Sequence, residues 1–274
     1  MSKLNTESSN WKAWSDSDAG SYILHWEQNC FDRLVDEIFG SQAVQIGLSE
    51  IETLRKNRIN NRFLIDTAFD NDFFESNKRL QNNFSKKEIT FIDSKQLKIS
   101  HLPTCLVSDL LNLPLANQSV DLIVLPHTLE TCTNPHALLR EVERILIPSG
   151  YLIISSFNPS SLWVLKQRIS QFRHESFIPN VKEFITSSRI KDWLKLLSFD
   201  IVSGLYGCYQ FPFNNKKNYE RFKFMELAGD RWWPIFGAIY IIVSQKRENC
   251  LNLVGQKWHL KPIVSTTEVI AKAK

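Results

Sequence analysis

Three observations predict an α/β domain of the doubly wound kind. Short apolar segments of strand length alternate with amphipathic stretches of helical period, and proline, glycine and small polar residues separate them. A length of 274 residues, 43% hydrophobic and 23% charged, suits one globular core with appendages. Strands that alternate with helices feed a parallel sheet covered on both faces.

The segment 1–20 is polar with two tryptophans. SYILHWEQNCFDRLVDEIFG then sets Ile23, Trp26, Cys30, Leu34 and Ile38 at three- and four-residue steps, the stripe of an amphipathic helix. Gly40 stands where a helix C-terminus wants a left-handed residue, and AVQIGL after it has strand length. Ser49 and Glu52 have capping-box spacing, each side chain satisfying a first-turn N–H, with Ile51, Leu54, Arg55 and Arg58 following at helical spacing. A helix is therefore expected directly after the strand. RFLID, ending in Asp66, is a second strand; the Asn- and Lys-rich stretch 70–100 reads as a variable insertion with one apolar island, ITFID.

Beyond Pro103, TCLV reads as a strand, SDLLNLPLANQS as a loop and DLIVLP as a buried strand. Asn134 is placed to cap the next helix, Pro135 takes its first position, and Leu138, Val142, Ile145 and Leu146 form its apolar stripe. Pro148-Ser149-Gly150 ends it, and YLIIS is the next strand. SSLWVLKQRIS and RIKDWLKLLS read as helices, FDIVSGLYGC and AIYIIVSQK as strands. The domain is expected over 21–247, followed by a basic tail over 248–274.

Composition excludes several function classes. Glycine stands at 9, where average usage of about 7% would give roughly 19, so a glycine-rich phosphate cradle is disfavoured. The formal charge of +4 resides from Gln245 onward, where six basic residues face two acidic ones; the body is neutral, and a nucleic-acid face is not expected. The five cysteines lie far apart without a CxxC pair, and the histidines never pair at ligand spacing, so no metal is expected. No apolar run reaches the ~20 residues that span a bilayer, and a cytoplasmic protein is expected. The sequence also contains no G-x-S-x-G, P-loop or H-E-x-x-H pattern.

In an open α/β sheet, ligands bind beyond the carboxyl ends of the strands, which directs attention to Gly47–Ser49, Asp66, Ser108–Leu110, Leu125–Thr128 and Ser156–Pro159. A carboxylate roughly 20 positions after a nucleotide loop can accept both protons of a ribose diol, and Asp66 lies in that window.

The run from Ser108 to Pro159 resembles the second half of the class I S-adenosylmethionine-dependent methyltransferases, the UbiE-like or type 11 group. The resemblance rests on Asp109, Leu113-Pro114-Leu115, Asp121, the helix Leu139–Leu146 with its L-x-E-x-x-R-x-L pattern, and Pro148-Ser149-Gly150. It implies a mostly parallel seven-stranded sheet, S-adenosylmethionine as cofactor and a small-molecule acceptor. It assigns Gly47 and Leu48 to the methionine and ribose side, Asp66 or its rival Asp93 to the ribose hydroxyls, and Asp109 with Leu110 to the adenine. Leu125, Pro126 and His127 would line the methyl-donor pocket, with His127 as the candidate base. The first motif of the family, laid on AVQIGLSEI, finds Gln45 at its acidic position and Gly47 as one glycine of three, with Ser49 and Ile51 at the others. A second reading is therefore a methyltransferase-like fold that serves as a binding module.

Several residues carry simpler readings as well. Asp109 suits a turn cap, His127 a loop hydrogen bond, Glu130 a first-turn position favoured by the helix dipole, and Glu141 with Arg144 a surface pair. The aromatics Phe157, Trp163, Phe211, Phe213, Trp232 and Trp233 suit either core packing or an apolar acceptor pocket.

Overall fold

The computed structural model describes residues 11, 13–67, 104–171, 178, 181–212, 219 and 221–247. The expected insertion with Asp93, Phe213 and the basic tail lie outside them. Strands β1 (Gln42–Ile46), β2 (Asn61–Asp66), β3 (Thr104–Val107), β4 (Val120–Pro126), β5 (Leu146–Phe157), β6 (Phe199–Gly207) and β7 (Ile239–Lys246) form one sheet. Its order is β3-β2-β1-β4-β5-β7-β6, and β7 runs antiparallel to both its neighbours. The expected α/β, mostly parallel, seven-stranded sheet is thus the observed one.

Alternation along the strands explains the layers, because successive side chains leave a strand on opposite faces. Ala43, Leu122 and Val124 point to the face covered by helix α1 (Asp18–Asp36), where Cys30, Phe31 and Val35 meet them. Val44, Ile46, Ile123 and Leu125 point the other way, into a core shared with α3 (Pro135–Ile145) and α5 (Ser187–Leu196). Between them in the chain lie α2 (Thr128–Thr131), directly after β4, and α4 (Leu162–Gln171), after β5.

The local signals act as their chemistry predicts in two helices. Ser17 Oγ accepts the N–H of Gly20 at 3.0 Å to cap α1, so that helix starts three residues before the expected boundary. Asn134 Oδ1 accepts the N–H of Ala137 at 3.1 Å to cap α3, with Pro135 behind it. Arg144 does more than pair with Glu141 at 2.8 Å, since it also donates to the carbonyls of Leu113 and Leu115 and so pins the loop between β3 and β4.

Four expectations are corrected. No helix follows β1; residues 48–60 form turns, because the side chains expected to cap a helix do not compete with a stronger local bond described below. Gly40 is not the left-handed end of α1, which stops at Asp36; the glycine is needed because an added Cβ would lie 2.4 Å from the Asp121 side chain, whose Oδ2 accepts the N–H groups of Ser41 and Gln42. Pro148-Ser149-Gly150 does not precede β5 but bulges within it. Val120 pairs with Leu146 and Leu122 with Tyr151, while Ser149 takes φ +62°. A helix that the sequence did not announce, α6 (Phe224–Trp232), leads into a 3₁₀ turn at Pro234–Phe236 before β7.

Candidate functional site

The strand order reverses between β1 and β4, and at such a switch point the loops after neighbouring strands leave in opposite directions and open a crevice. A cleft of about 230 Å³ lies there. It is lined by Gly47 and Leu48 after β1, Asp66 at the end of β2, Asp109 and Leu110 after β3, and Pro126 and His127 at the end of β4. Ser108 and Ser156–Pro159, also noted after strand ends, do not line it, and among the described residues that the resemblance assigns, Leu125 alone is off this wall; it is fully buried in the core beside α3, because its side chain leaves β4 on the face opposite to Val124.

The two aspartates are anchored by their own turns. Asp66 Oδ1 accepts the N–H of Thr67 at 2.7 Å. Asp109 Oδ1 accepts the N–H of Leu111 at 3.1 Å, and its Oδ2 accepts from Asn112 Nδ2 at 3.2 Å. Asp109 therefore caps its turn, as Asp commonly does, while it also lines the cleft.

The loop after β1 is held by an amide where the family has an acid. Buried Gln45 donates from Nε2 to the carbonyls of Leu48 and Ile51, both at 2.8 Å, and accepts at Oε1 from the N–H and hydroxyl of Thr53. A carboxylate could accept from Thr53 but could not donate to either carbonyl. This staple closes residues 45–53 into a compact turn and takes up the backbone groups that a helix would have used. Gly47 inside it has φ +76°, and an added Cβ would lie 2.9 Å from Thr128 Oγ1. That hydroxyl donates to the carbonyl of Ile46 at 2.5 Å, tying the end of β1 to the end of β4. One glycine is thus needed for its backbone angle, and the staple shapes the rest of the loop without the other two.

Below the cleft lies a buried charged group that sequence reasoning missed in part. His127, itself at φ +51°, places Nε2 3.1 Å from Glu27 Oε1 and Nδ1 3.4 Å from Glu130 Oε1. All three side chains are buried. The Glu27 contact is an ion pair by distance, and apart from His127 no partner of either Glu27 oxygen is found among the described residues. Glu130 Oε1 also accepts the N–H of Phe157, which ties α2 to β5. Burial pushes the imidazole pKa down, but the charges of Glu27 and Glu130 outweigh it and hold it up at about 10. The rings of Trp11 and Phe157 pack on the imidazole with centroids 5.2 and 4.6 Å away.

The charges of Glu27 and Glu130 favour the protonated form of His127, the candidate base. Glu130 stands in the first turn of α2, as expected, and its side chain belongs to the buried group. Glu27 had a legible signal: it lies four residues after Ile23 and three before Cys30, on the apolar stripe of α1, where a carboxylate demands a partner. Trp11 had none, since it stands in a polar segment. Of the aromatics considered for an acceptor pocket, Phe157 and Trp163 are core residues, while Phe211, Trp232 and Trp233 are exposed.

Comparisons with known proteins agree with this architecture. The family model of the methyltransferase domain matches residues 76–154, which covers the segment carrying Asp109 and α3 and leaves the loop after β1 outside the match. The uncharacterized protein YafS of Escherichia coli K12 is 42% identical over 166 residues, 60% of this chain and 65% of that protein. Demethylmenaquinone methyltransferase of Chlamydia pneumoniae is 33% identical over 112 residues, 38% of this chain and 47% of that protein. The chain thus spans less than two thirds of the length of either relative. Among solved structures, S-adenosylmethionine-dependent methyltransferases of Thermotoga maritima and Archaeoglobus fulgidus share the fold. Both superpose with a TM-score of 0.52, at 16% and 18% identity, covering 83% and 81% of this chain and 95% and 94% of theirs. The matched segment, the relatives and the strand order thus make the chain similar to the class I S-adenosylmethionine-dependent methyltransferases of the type 11 group, whose Rossmann-like fold it has, with a first motif reduced to one glycine.

Proposed function

We propose that the protein transfers the methyl group of S-adenosylmethionine to a small-molecule acceptor. The observation that carries this reading is the convergence of Gly47, Asp66 and Asp109, from the ends of three adjacent strands, on one cleft at the switch point. The donor set fits the cofactor in kind. Two carboxylates suit a ribose diol and an exocyclic amine, apolar Leu110 and Leu111 suit the flanks of an adenine ring, and the open backbone at Gly47 suits close approach of a ribose and methionine chain.

In this proposal Asp66 holds the ribose hydroxyls, Asp109 and Leu110 hold the adenine, and Gly47, Leu48 and Pro126 face the methionine side. When bound, the cofactor supplies an activated sulfonium-borne methyl group. The protein's task is then to align the acceptor with it and to exclude water. Glu27, Glu130 and the imidazolium of His127 sum to one negative charge beneath the floor of the cleft, which favours a cation above it. Because His127 keeps its proton, an acceptor that must lose one would release it to water or to a group of its own.

The test is transfer itself. The protein is incubated with methyl-labelled S-adenosylmethionine and a fractionated small-molecule extract, and the expected result is label in one fraction matched by S-adenosylhomocysteine formed. Intact cofactor binding with no transfer to any small-molecule fraction would contradict the acceptor class.

A further inference from the structure

Helix α6 is apolar on its outward side, the reverse of an ordinary surface helix. Phe224 is 63% exposed, Leu227 80% and Trp232 74%, and the chain runs on into exposed Trp233, Ile235 and Phe236. Helical spacing puts Phe224, Leu227 and Arg231 on one side and buried Gly229 on the other, against the ring of Tyr209. The core contact of α6 is therefore already made, and the apolar face is additional to it.

The charges around this face indicate its partner. Arg221, Lys223 and Arg231 are exposed among the aromatic rings. Of the two acids in the helix, Asp230 is exposed, whereas Glu226 turns inward to the backbone N–H groups of Cys208, Tyr209 and Gln210. Tryptophan rings interleaved with cations match the boundary of a lipid bilayer, where an indole sits at headgroup depth and a cation meets phosphate. A second copy of the chain would instead set these cations against their own kind. No helix among the described residues is long and apolar enough to cross a membrane, so contact would be peripheral.

The face is also firmly placed. Asn158, the first residue past β5, donates from Nδ2 to the carbonyls of Ile235 and Gly237 at 2.6 and 2.9 Å, and Tyr209 donates its hydroxyl to the carbonyl of Pro234 at 2.9 Å. These bonds fix the turn after α6 at the end of the sheet where β5 stops and β7 starts, the end at which the cleft also lies. We infer that α6 and the turn after it dock the protein on an anionic lipid bilayer, with Trp232, Trp233, Ile235 and Phe236 at headgroup depth.

The full chain is sedimented with vesicles of phosphatidylcholine and phosphatidylglycerol, and separately with vesicles of phosphatidylcholine alone. The expected result is binding to the anionic vesicles that is several-fold stronger than to the neutral ones and weakens with salt. Trp232→Ser with Trp233→Ser should lower it at least about tenfold, and brominated acyl chains should quench wild-type tryptophan emission. The quenching is read on the unaltered protein and so stands even if the variant misfolds. Absence of binding to anionic vesicles, or binding undiminished in a folded double variant, would overturn the inference. So would a concentration-dependent dimer, seen by light scattering, that the variant abolishes, because the face would then belong to a second copy.

Discussion

Gln45 departs from the first motif of the methyltransferases this chain resembles and Gly47 keeps to it, and both make predictions at the scale of one side chain. Gln45→Glu keeps the shape but sets a carboxylate against the carbonyls of Leu48 and Ile51, a loss of two donors in a buried site. It should destabilise by about 1–3 kcal/mol in denaturant unfolding and weaken S-adenosylhomocysteine binding further than it weakens the fold. Gly47→Ala meets a left-handed backbone as well as Thr128 and should cost about 1–2 kcal/mol. His127 predicts a pH dependence. The folded state keeps a proton that the unfolded chain releases above about 6.5, so this stabilisation is full below that pH and is lost as pH rises toward about 10. Thermal melting between about pH 6.5 and 8.5, below the range of unfolded cysteines, should show the decline, and His127→Gln should be less stable throughout but flatter across that window. Asp66, Asp109 and Gly47 were legible because they follow strand ends. The staple was not, since a glutamine in a strand declares no partner, and Thr53 lies eight residues away.

The elements were legible where one signal acted without a rival. The strands declared themselves as apolar runs between polar stops, and α3 through a cap, a proline and a stripe that agree. Asn134→Ala should remove the cap bond and cost about 1 kcal/mol, as measured by chemical denaturation. Leu139→Ala, at a fully buried site under the sheet, should cost about 2–5 kcal/mol. The connection after β1 was misread because Ser49 and Glu52 imitate a capping box, while the Gln45 amide claims the carbonyl of Ile51 and the N–H of Thr53. Helix α6 was missed for the opposite reason: its exposed side is apolar, so the polar and apolar faces that announce a surface helix are not distinct.

At the scale of the whole molecule, the sheet order brings residues more than sixty positions apart in sequence, Gly47 and Asp109, to one cleft. The alternation of elements predicts the parallel sheet and the resemblance its seven strands, whereas their order is seen in the structure. The buried group of Glu27, His127 and Glu130 joins α1, the end of β4 and α2 beneath that cleft, and removing His127 would leave two carboxylates in the core without their shared partner. The central claim is that the cleft, with a loop stapled by Gln45 instead of opened by three glycines, still holds S-adenosylmethionine. Its most direct test is calorimetric titration of the wild type, Asp66→Ala and Asp109→Ala with S-adenosylmethionine and S-adenosylhomocysteine. A thermal melt should accompany it, since ligand at 100 times its Kd stabilises by ~2.7 kcal/mol. The account predicts saturable one-to-one binding by the wild type that each variant loses at least in part while remaining folded. No heat and no stabilisation at millimolar ligand, or binding that neither aspartate affects, would contradict it.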